Sequence, residues 1–196
     1  MTDDELIDAL RHRIQNPNLR TDVKANPSPF FPPVEWEAVV HAEAALGLTF
    51  PPLLSRLYRE VGNGGFGPES GMVGLSGGHV DSSGQTLVEL YGAFRTEGWP
   101  RPLLPLWEWG GPAWACVDTR SSEGKIVTED ESGATLTAFD LHSWLESWLL
   151  GVNILEKIYE IKPMFIANPF TGKPVETKRQ GRAIGVPIDF AEDMRE

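Results

Sequence analysis

Four short runs of β-forming residues between positions 103 and 139 constrain the fold of this chain most. Each run is five to seven residues long, and Gly, Pro and Ser residues at 110–112, 121–124 and 131–133 separate them. Such short, turn-rich connections leave no space for a crossover helix, so neighbouring strands must run antiparallel. The pattern predicts an antiparallel meander with the strands Leu103–Trp109, Ala113–Asp118, Lys125–Asp130 and Thr135–Phe139.

Helical patterns lie on both sides of these strands. Thr2 and Asp140 are suitable N-caps for a first and a last helix, and apolar residues recur at helical spacing behind each of them. Three more helices are predicted in between: Pro33–Leu46 with Gly47 as its cap, a helix opened by Pro51 and Pro52 and ended by the glycines at 62–65, and Thr86–Phe94, closed by Gly98. Residues 17–33 are predicted to be a connecting loop, residues 72–75 a short strand and residues 154–159 a short helix.

The order of the predicted elements is helices, meander, helix, which indicates a single α+β domain with helices packed on a mainly antiparallel sheet. We assign this domain to residues 1–160. Residues 161–196 contain four prolines and are predicted to form an extended or loosely ordered C-terminal appendage.

The charge of the chain is negative and uneven. The formal net charge is −11; residues 1–160 hold 11 Lys/Arg and 23 Asp/Glu, whereas residues 161–196 hold six and five. This balance argues against nucleic acid as a partner, because phosphate contacts need clustered Lys and Arg. An acidic surface instead suits a basic protein partner. No apolar run is long enough to predict a membrane span, so we expect no membrane association.

The sequence offers little support for catalysis or metal binding. Cys116 is the single cysteine, lies in a predicted strand and is expected to be buried and inert, in a reducing cytoplasm. The histidines His12, His41, His79 and His142 fall in different elements and form no zinc motif, so no metal or cofactor is expected. A hydrolase using Glu108 and Asp118 as paired carboxylates remains an alternative.

Tryptophan is the most informative residue type. Trp107 and Trp109 share one face of a strand by period two, and Trp144 and Trp148 share one face of a helix by period four. One interpretation is that these pairs form the core between sheet and helix. The alternatives are that one pair anchors a protein partner, or that the tryptophans bind carbohydrate.

The ordered motifs between residues 34 and 151 resemble the SUKH superfamily, which includes Smi/Knr-type cell-wall regulators of fungi and bacterial immunity proteins. Trp36, Leu46-Gly47, Pro51, Tyr58 and Asn63-Gly64-Gly65 resemble the opening of that family. Further motifs similar to it are Leu104-Pro105-Leu106, Trp109-Gly110, the strand ending at Asp118, and the helix with Trp144 and Trp148.

This resemblance implies a protein-binding module rather than an enzyme. It predicts an immunity protein that neutralises a bacterial toxin, such as a nuclease, by stoichiometric binding. The alternative is a regulatory scaffold of the Smi/Knr type with no toxin partner. The resemblance supplies no set of binding residues.

Acidic residues near the strand turns are our candidates for the binding surface. Between 107 and 146 eight acids face two basic residues. An acidic face of this kind would attract a basic toxin. Trp99, in a Gly-Trp-Pro loop, is predicted to be an exposed aromatic anchor. The charged candidates are Glu108, Glu123, Glu129, Asp130 and Glu131.

Overall fold

A computed structural model shows an α+β protein in which helices pack on a mainly antiparallel sheet, as the sequence predicts. The structure describes residues 1–16, 31–110, 112–168 and 170–190. Within them the helices are α1 (Asp3–Gln15), α2 (Trp36–Leu46), α3 (Pro52–Arg56, continued by a π-helical turn Leu57–Val61), α4 (Leu87–Thr96), α5 (Leu141–Leu149) and α6 (Leu155–Ile158). The strands are β1 (Leu103–Glu108), β2 (Trp114–Asp118), β3 (Lys125–Asp130), β4 (Gly133–Asp140), β5 (Tyr159–Ala167), β6 (Pro174–Ala183) and β7 (Val186–Pro187).

Local capping sets the ends of the first and last long helices. The Thr2 side chain accepts a hydrogen bond from the Glu5 N–H, and the Glu5 carboxylate accepts one from the Thr2 N–H. Asp140 caps α5 in the same manner through Ser143. Gly47 ends α2 in the left-handed region, with φ at 65°. The predicted start of α2 at Pro33 is wrong, because the helix begins three residues later at Trp36.

The main sheet has the order β1-β2-β3-β4-β7, and every neighbouring pair is antiparallel. The first four strands confirm the predicted meander. A bulge interrupts β1 between Pro105 and Trp107. The strand is buried from Leu103 to Trp107.

The tryptophan pairs form the core between this sheet and α5. Trp107 and Trp144 are fully buried with ring centroids 5.6 Å apart, and Trp109 packs edge-on against Trp144 at 5.9 Å. Each aromatic pair of this kind contributes about 0.5–1.5 kcal/mol beyond its buried area. Trp148 is also buried, under the guanidinium of Arg13. The core interpretation is therefore confirmed for these side chains.

The glycine-rich segment after the π-helical turn is an irregular, buried loop. The predicted strand at 72–75 is wrong, because Val73 donates one backbone hydrogen bond to Leu106 but no ladder forms. Gly64 and Gly65 adopt positive φ as expected, whereas Gly62 is extended, with φ at 171°. The loop folds around Asn63. The side chain of this residue forms hydrogen bonds with the loop backbone that a neighbouring strand would otherwise form.

The described residues of the C-terminal extension are extended, and they form strands rather than a loosely ordered appendage. Strands β5 and β6 form a separate two-stranded hairpin, and β7 pairs with β4 as the fifth strand of the main sheet. The prolines in this hairpin are compatible with strands, since both strands of a two-stranded sheet are edges. The predicted division at residue 160 falls inside β5, and Phe190 is buried against the core.

Some predictions concern residues that the structure does not describe. They are residues 17–30 of the predicted connecting loop, residue 111 of the first turn in the meander, and residues 169 and 191–196 of the extension. Across the described ranges, no helix is long and apolar enough to cross a membrane.

Candidate partner-binding surface

The meander brings four of the five acidic candidates to one end of the sheet. Strands β1 and β3 run in the same direction on either side of β2, so their last residues lie at the same end of the sheet. Glu108 and Glu129 lie opposite the same residue, Trp114, and Asp130 and Glu131 follow directly. We call Glu108, Glu129, Asp130 and Glu131 the acidic rim.

Glu108 has a structural role within the rim. Its carboxylate accepts hydrogen bonds from the backbone N–H of Ser82 at 3.1 Å and from the Ser82 hydroxyl at 2.6 Å. These bonds tie the end of β1 to the loop at 81–85. The negative charge of Glu108 is thus already engaged by donors from its own chain.

Glu129 is half-buried and differs from a solvated surface acid. Its Oε2 atom is inaccessible to solvent and has no hydrogen-bond partner among the described residues. Burial, together with the nearby Asp130 carboxylate, raises the pKa of Glu129 to about 7. At neutral pH the side chain is therefore only partly ionised, which makes it a weak source of attraction for a basic partner.

Asp130 closes the turn between β3 and β4, where its carboxylate accepts a hydrogen bond from the Ser132 N–H at 2.7 Å. It also lies near the buried hydroxyl of Tyr159, which makes no hydrogen bond of normal geometry within the described chain. Burial, and then the Asp130 charge, raises the pKa of this phenol. The next residue, Glu131, is exposed to solvent. Glu131 is consequently the fully exposed charge of the rim, and Asp130 is partly exposed beside it.

An open groove of about 580 Å³ separates the rim from the C-terminal hairpin. Asp130 and Glu131 line it, and so do Lys162 and Arg182 of the hairpin. Sequence reasoning missed these two basic residues, because the extension was not predicted to fold back as a hairpin. The groove is open, and it presents both signs of charge.

Glu123 does not belong to this cluster. It lies in the turn between β2 and β3, at the opposite end of the sheet, and pairs with Lys125 at 2.7 Å. Hydrogen bonding to Glu123 raises the pKa of Lys125. The five acidic candidates therefore do not form one continuous patch.

The prediction that Trp99 is an exposed anchor is wrong. Its indole N–H donates to the Leu103 carbonyl at 2.8 Å, and its ring packs on Phe94 with centroids 4.6 Å apart. The side chain is half-buried against the core. A different tryptophan, Trp36, is 48% exposed on α2, although its ring also lies under the guanidinium of Arg59.

The residues that resemble the family motif have mostly structural positions. The buried Tyr58 hydroxyl donates to the Val73 carbonyl at 2.7 Å, and the Asn63 amide oxygen accepts from the Leu75 N–H at 2.7 Å. Asp118 is buried and accepts hydrogen bonds from both the backbone and the guanidinium of Arg120. The other residues of this set are Trp36, Gly47, Pro51, Gly64, Gly65, Trp109, Gly110, Trp144 and Trp148.

The structure does not assemble the proposed pair of catalytic carboxylates. Asp118 lies opposite Leu103 and Glu108 lies opposite Trp114, so the two acids lie four residues apart along β2 and five along the bulged strand β1. At 3.3 Å per residue the four steps along β2 are about 13 Å, whereas glycosidase carboxylates lie roughly 5–9.5 Å apart. The hydrolase alternative built on this pair is therefore wrong.

The remaining candidates for chemistry are dispersed. Cys116 is fully buried, and burial raises the pKa of its thiol well above the usual range. His79 is half-buried beside Phe31, and burial lowers its pKa. The described ranges contain no group of three or more His, Cys, Asp or Glu side chains placed to hold a metal ion.

No protein-family model matches this chain, and no curated protein matches it. Membership of the SUKH superfamily therefore remains a prediction that rests on the ordered motifs between residues 34 and 151.

Proposed function

We propose that this chain is a cytoplasmic immunity protein that neutralises a basic bacterial toxin domain by stoichiometric binding, without catalysis. The observation that carries the proposal is the placement of Asp130 and Glu131. These two acids stand together at one end of the sheet, on the wall of an open groove. The motif resemblance adds the expectation of a protein-binding module.

The electrostatics of the chain support this function. With a net charge of −11, the protein attracts a basic partner over a distance of about one Debye length, roughly 8 Å at physiological salt. Complementary charge of this kind mainly accelerates association and selects against acidic partners. Affinity then depends on how well the partner packs against the groove.

The rim residues have different roles in the proposed interface. Asp130 and Glu131 contact basic side chains of the partner. Glu108 holds the loop at 81–85 through Ser82 and so shapes the neighbouring surface. Glu129 contributes little charge at neutral pH, because its pKa is about 7.

The experiment first captures the partner by pull-down with this chain from its host and identifies it by mass spectrometry, and then uses the basic toxin domain recovered in this way. Recovery of no basic toxin domain would count against the proposal. We expect co-expression of the chain to restore growth of cells that produce this domain, and calorimetry of the purified pair to give one-to-one binding. The double variant Asp130→Asn/Glu131→Gln should weaken binding about tenfold, chiefly through slower association, and this loss should shrink at high salt.

Glu123→Gln is the matched control, since Glu123 is also an exposed acid in a strand turn but lies at the opposite end of the sheet. The affinity of the Glu123→Gln variant for the toxin domain should equal that of the parent. Equal binding by the double variant and the parent would disprove this interface, and failure of the chain to restore growth would disprove the immunity function.

A further inference from the structure

The β5–β6 hairpin exposes an unusual amount of apolar surface. Of the twelve exposed large apolar side chains among the described residues, four lie in this hairpin and two more, Ile184 and Val186, follow it. Phe165 is 66% exposed and Phe170, in the hairpin turn, is 94% exposed. Ile166 and Val175 are exposed too, and they lie directly opposite each other on the two strands.

Such a hairpin needs a partner surface. A two-stranded ribbon is marginally stable on its own, and exposed apolar clusters normally mark an interaction site. Described residues add no third strand to this hairpin, so the apolar side chains of its outer half face solvent. A contact that covers Phe165 and Phe170 would stabilise the hairpin.

The charge of the hairpin indicates which kind of partner it fits. Residues 159–183 contain five Lys/Arg and two Asp/Glu, a balance of +3. Residues 1–158 contain 11 Lys/Arg and 22 Asp/Glu, a balance of −11. The hairpin is therefore complementary to an acidic surface, and the rest of its own chain is such a surface.

The outer side of α2 has the matching properties. Trp36 and Val40 are exposed one helical turn apart, and Ala44 continues the same side of the helix. Glu35 and Glu37 beside them are exposed acids. This surface, which we call the α2 face, thus combines an apolar stripe with two acids, and the Arg59 guanidinium lies over the Trp36 ring within it.

We propose that the β5–β6 hairpin binds the α2 face of a second copy of this chain, and that the second copy returns the contact. Two reciprocal contacts of this kind close a two-fold dimer, which is the commonest arrangement of soluble oligomers. Pairing of one hairpin with another is disfavoured, because it would bring together two segments that each carry a formal charge of +3. The dimer does not rest on the proposed function, although Lys162 of the hairpin also lines the groove beside Asp130 and Glu131.

The first test is the mass of the full-length protein in solution. Sedimentation equilibrium at micromolar concentration should give twice the monomer mass of 21.7 kDa. Phe165→Ser/Phe170→Ser should weaken dimerisation about tenfold or more, since exposed aromatic anchors dominate such contacts. Leu150→Ser is the control, because Leu150 is equally exposed but lies outside both surfaces.

A charge exchange then identifies the two surfaces. One variant carries Lys162→Glu/Lys173→Glu in the hairpin, and the other carries Glu35→Lys/Glu37→Lys on the α2 face. Each variant alone should be monomeric, because hairpin and α2 face then have the same sign of charge. An equimolar mixture should dimerise, since both reciprocal contacts in the mixed dimer are complementary.

The outcomes decide the proposal. A parent protein that remains monomeric over the whole concentration range overturns it, and its hairpin then serves a different partner. A dimer that neither the phenylalanine variant nor the charge variants weaken overturns it as well, because other surfaces must hold it together. Circular dichroism of every variant should match the parent, which excludes misfolding as the cause of monomers.

Discussion

The carboxylate of Glu108 accepts two hydrogen bonds from Ser82, one from the backbone N–H at 3.1 Å and one from the hydroxyl at 2.6 Å. The two residues lie 26 positions apart in the chain, so this contact joins the end of β1 to a loop of the helical part. The loop is itself closed by Asp81, whose carboxylate accepts from the Gln85 N–H at 2.7 Å. Substituting Glu108 therefore changes both a surface charge and the position of a loop.

Ser82→Ala separates these two effects, because it removes the hydroxyl donor but keeps the Glu108 charge. We expect it to lower the free energy of unfolding by about 0.5–1.5 kcal/mol, the net value of one hydrogen bond. Glu108→Ala should cost more, and the double variant should show clear coupling in a double-mutant cycle measured by urea unfolding. Additive effects of the two substitutions would show that the contact between Glu108 and Ser82 contributes nothing to the free energy of unfolding. Ser122→Ala, at an exposed turn position, should change stability by less than about 0.5 kcal/mol.

Gly64 and Gly77 make a matched pair in the glycine-rich loop. Both have positive φ, 84° and 74° respectively. A Cβ atom at Gly64 would lie 2.5 Å from the Met72 carbonyl oxygen, whereas at Gly77 nothing lies within 4 Å. Gly77→Ala should therefore lower the free energy of unfolding only by the backbone strain, about 1–2 kcal/mol. Gly64→Ala should cost about 2–5 kcal/mol, because the buried loop must also move. Thermal unfolding checks the difference, and equal losses would place Gly64 in an open turn instead.

The sequence predicts those parts of the fold that depend on local patterns. Capping by Thr2 and Asp140 follows from side chains within three residues of each helix start. The contact between Trp107 and Trp144 follows from strand and helix periodicity, because each residue had to lie on the apolar face of its own element. These predictions need no knowledge of the tertiary arrangement.

Other features depend on distant partners and could not be read locally. The pairing of β7 with β4 joins residues about 50 positions apart, and nothing in the dipeptide Val186-Pro187 identifies that partner. Trp99 lies in a loop typical of exposed residues, but its indole folds back onto Phe94. The half-buried position of Glu129 had a local signal, since strand alternation places it on the same face as the buried Val127.

Asn63 is predicted to be the residue on which the glycine-rich loop most depends. The side chain is 3% exposed; its Oδ1 accepts from the Leu75 N–H at 2.7 Å, and its Nδ2 donates to the Ser76 carbonyl at 3.1 Å. Asn63→Ala leaves these backbone groups without partners, so stability should fall by about 2–4 kcal/mol. Asn63→Asp keeps the acceptor but loses the donor, and buries a charge if it ionises. Hydrogen exchange of the Leu75 amide should accelerate strongly in Asn63→Ala; unchanged protection would mean that the amide is held by other groups.

Glu129 is expected to make stability depend on pH between about 4.5 and 7. Burial raises the pKa of Glu129 in the folded state to about 7, above the usual carboxyl value of 4.5. The folded protein therefore binds a proton that the unfolded chain has already released, and the free energy of unfolding falls as pH rises through this window. Glu129→Gln resembles the protonated form and cannot ionise. The variant should match the parent near pH 4.5 and exceed its stability at pH 8 by about 1–2 kcal/mol, since solvent screening of this partly exposed carboxyl reduces the roughly 1.4 kcal/mol that each pKa unit represents. Asp130→Asn is the control, because it removes the neighbouring charge that helps to raise the pKa of Glu129. In this variant the free energy of unfolding should still fall with rising pH, but the fall should end at a slightly lower pH. Parallel stability curves of the parent and Glu129→Gln from pH 4.5 to 8, measured by urea unfolding, would show that Glu129 titrates as an ordinary solvated acid.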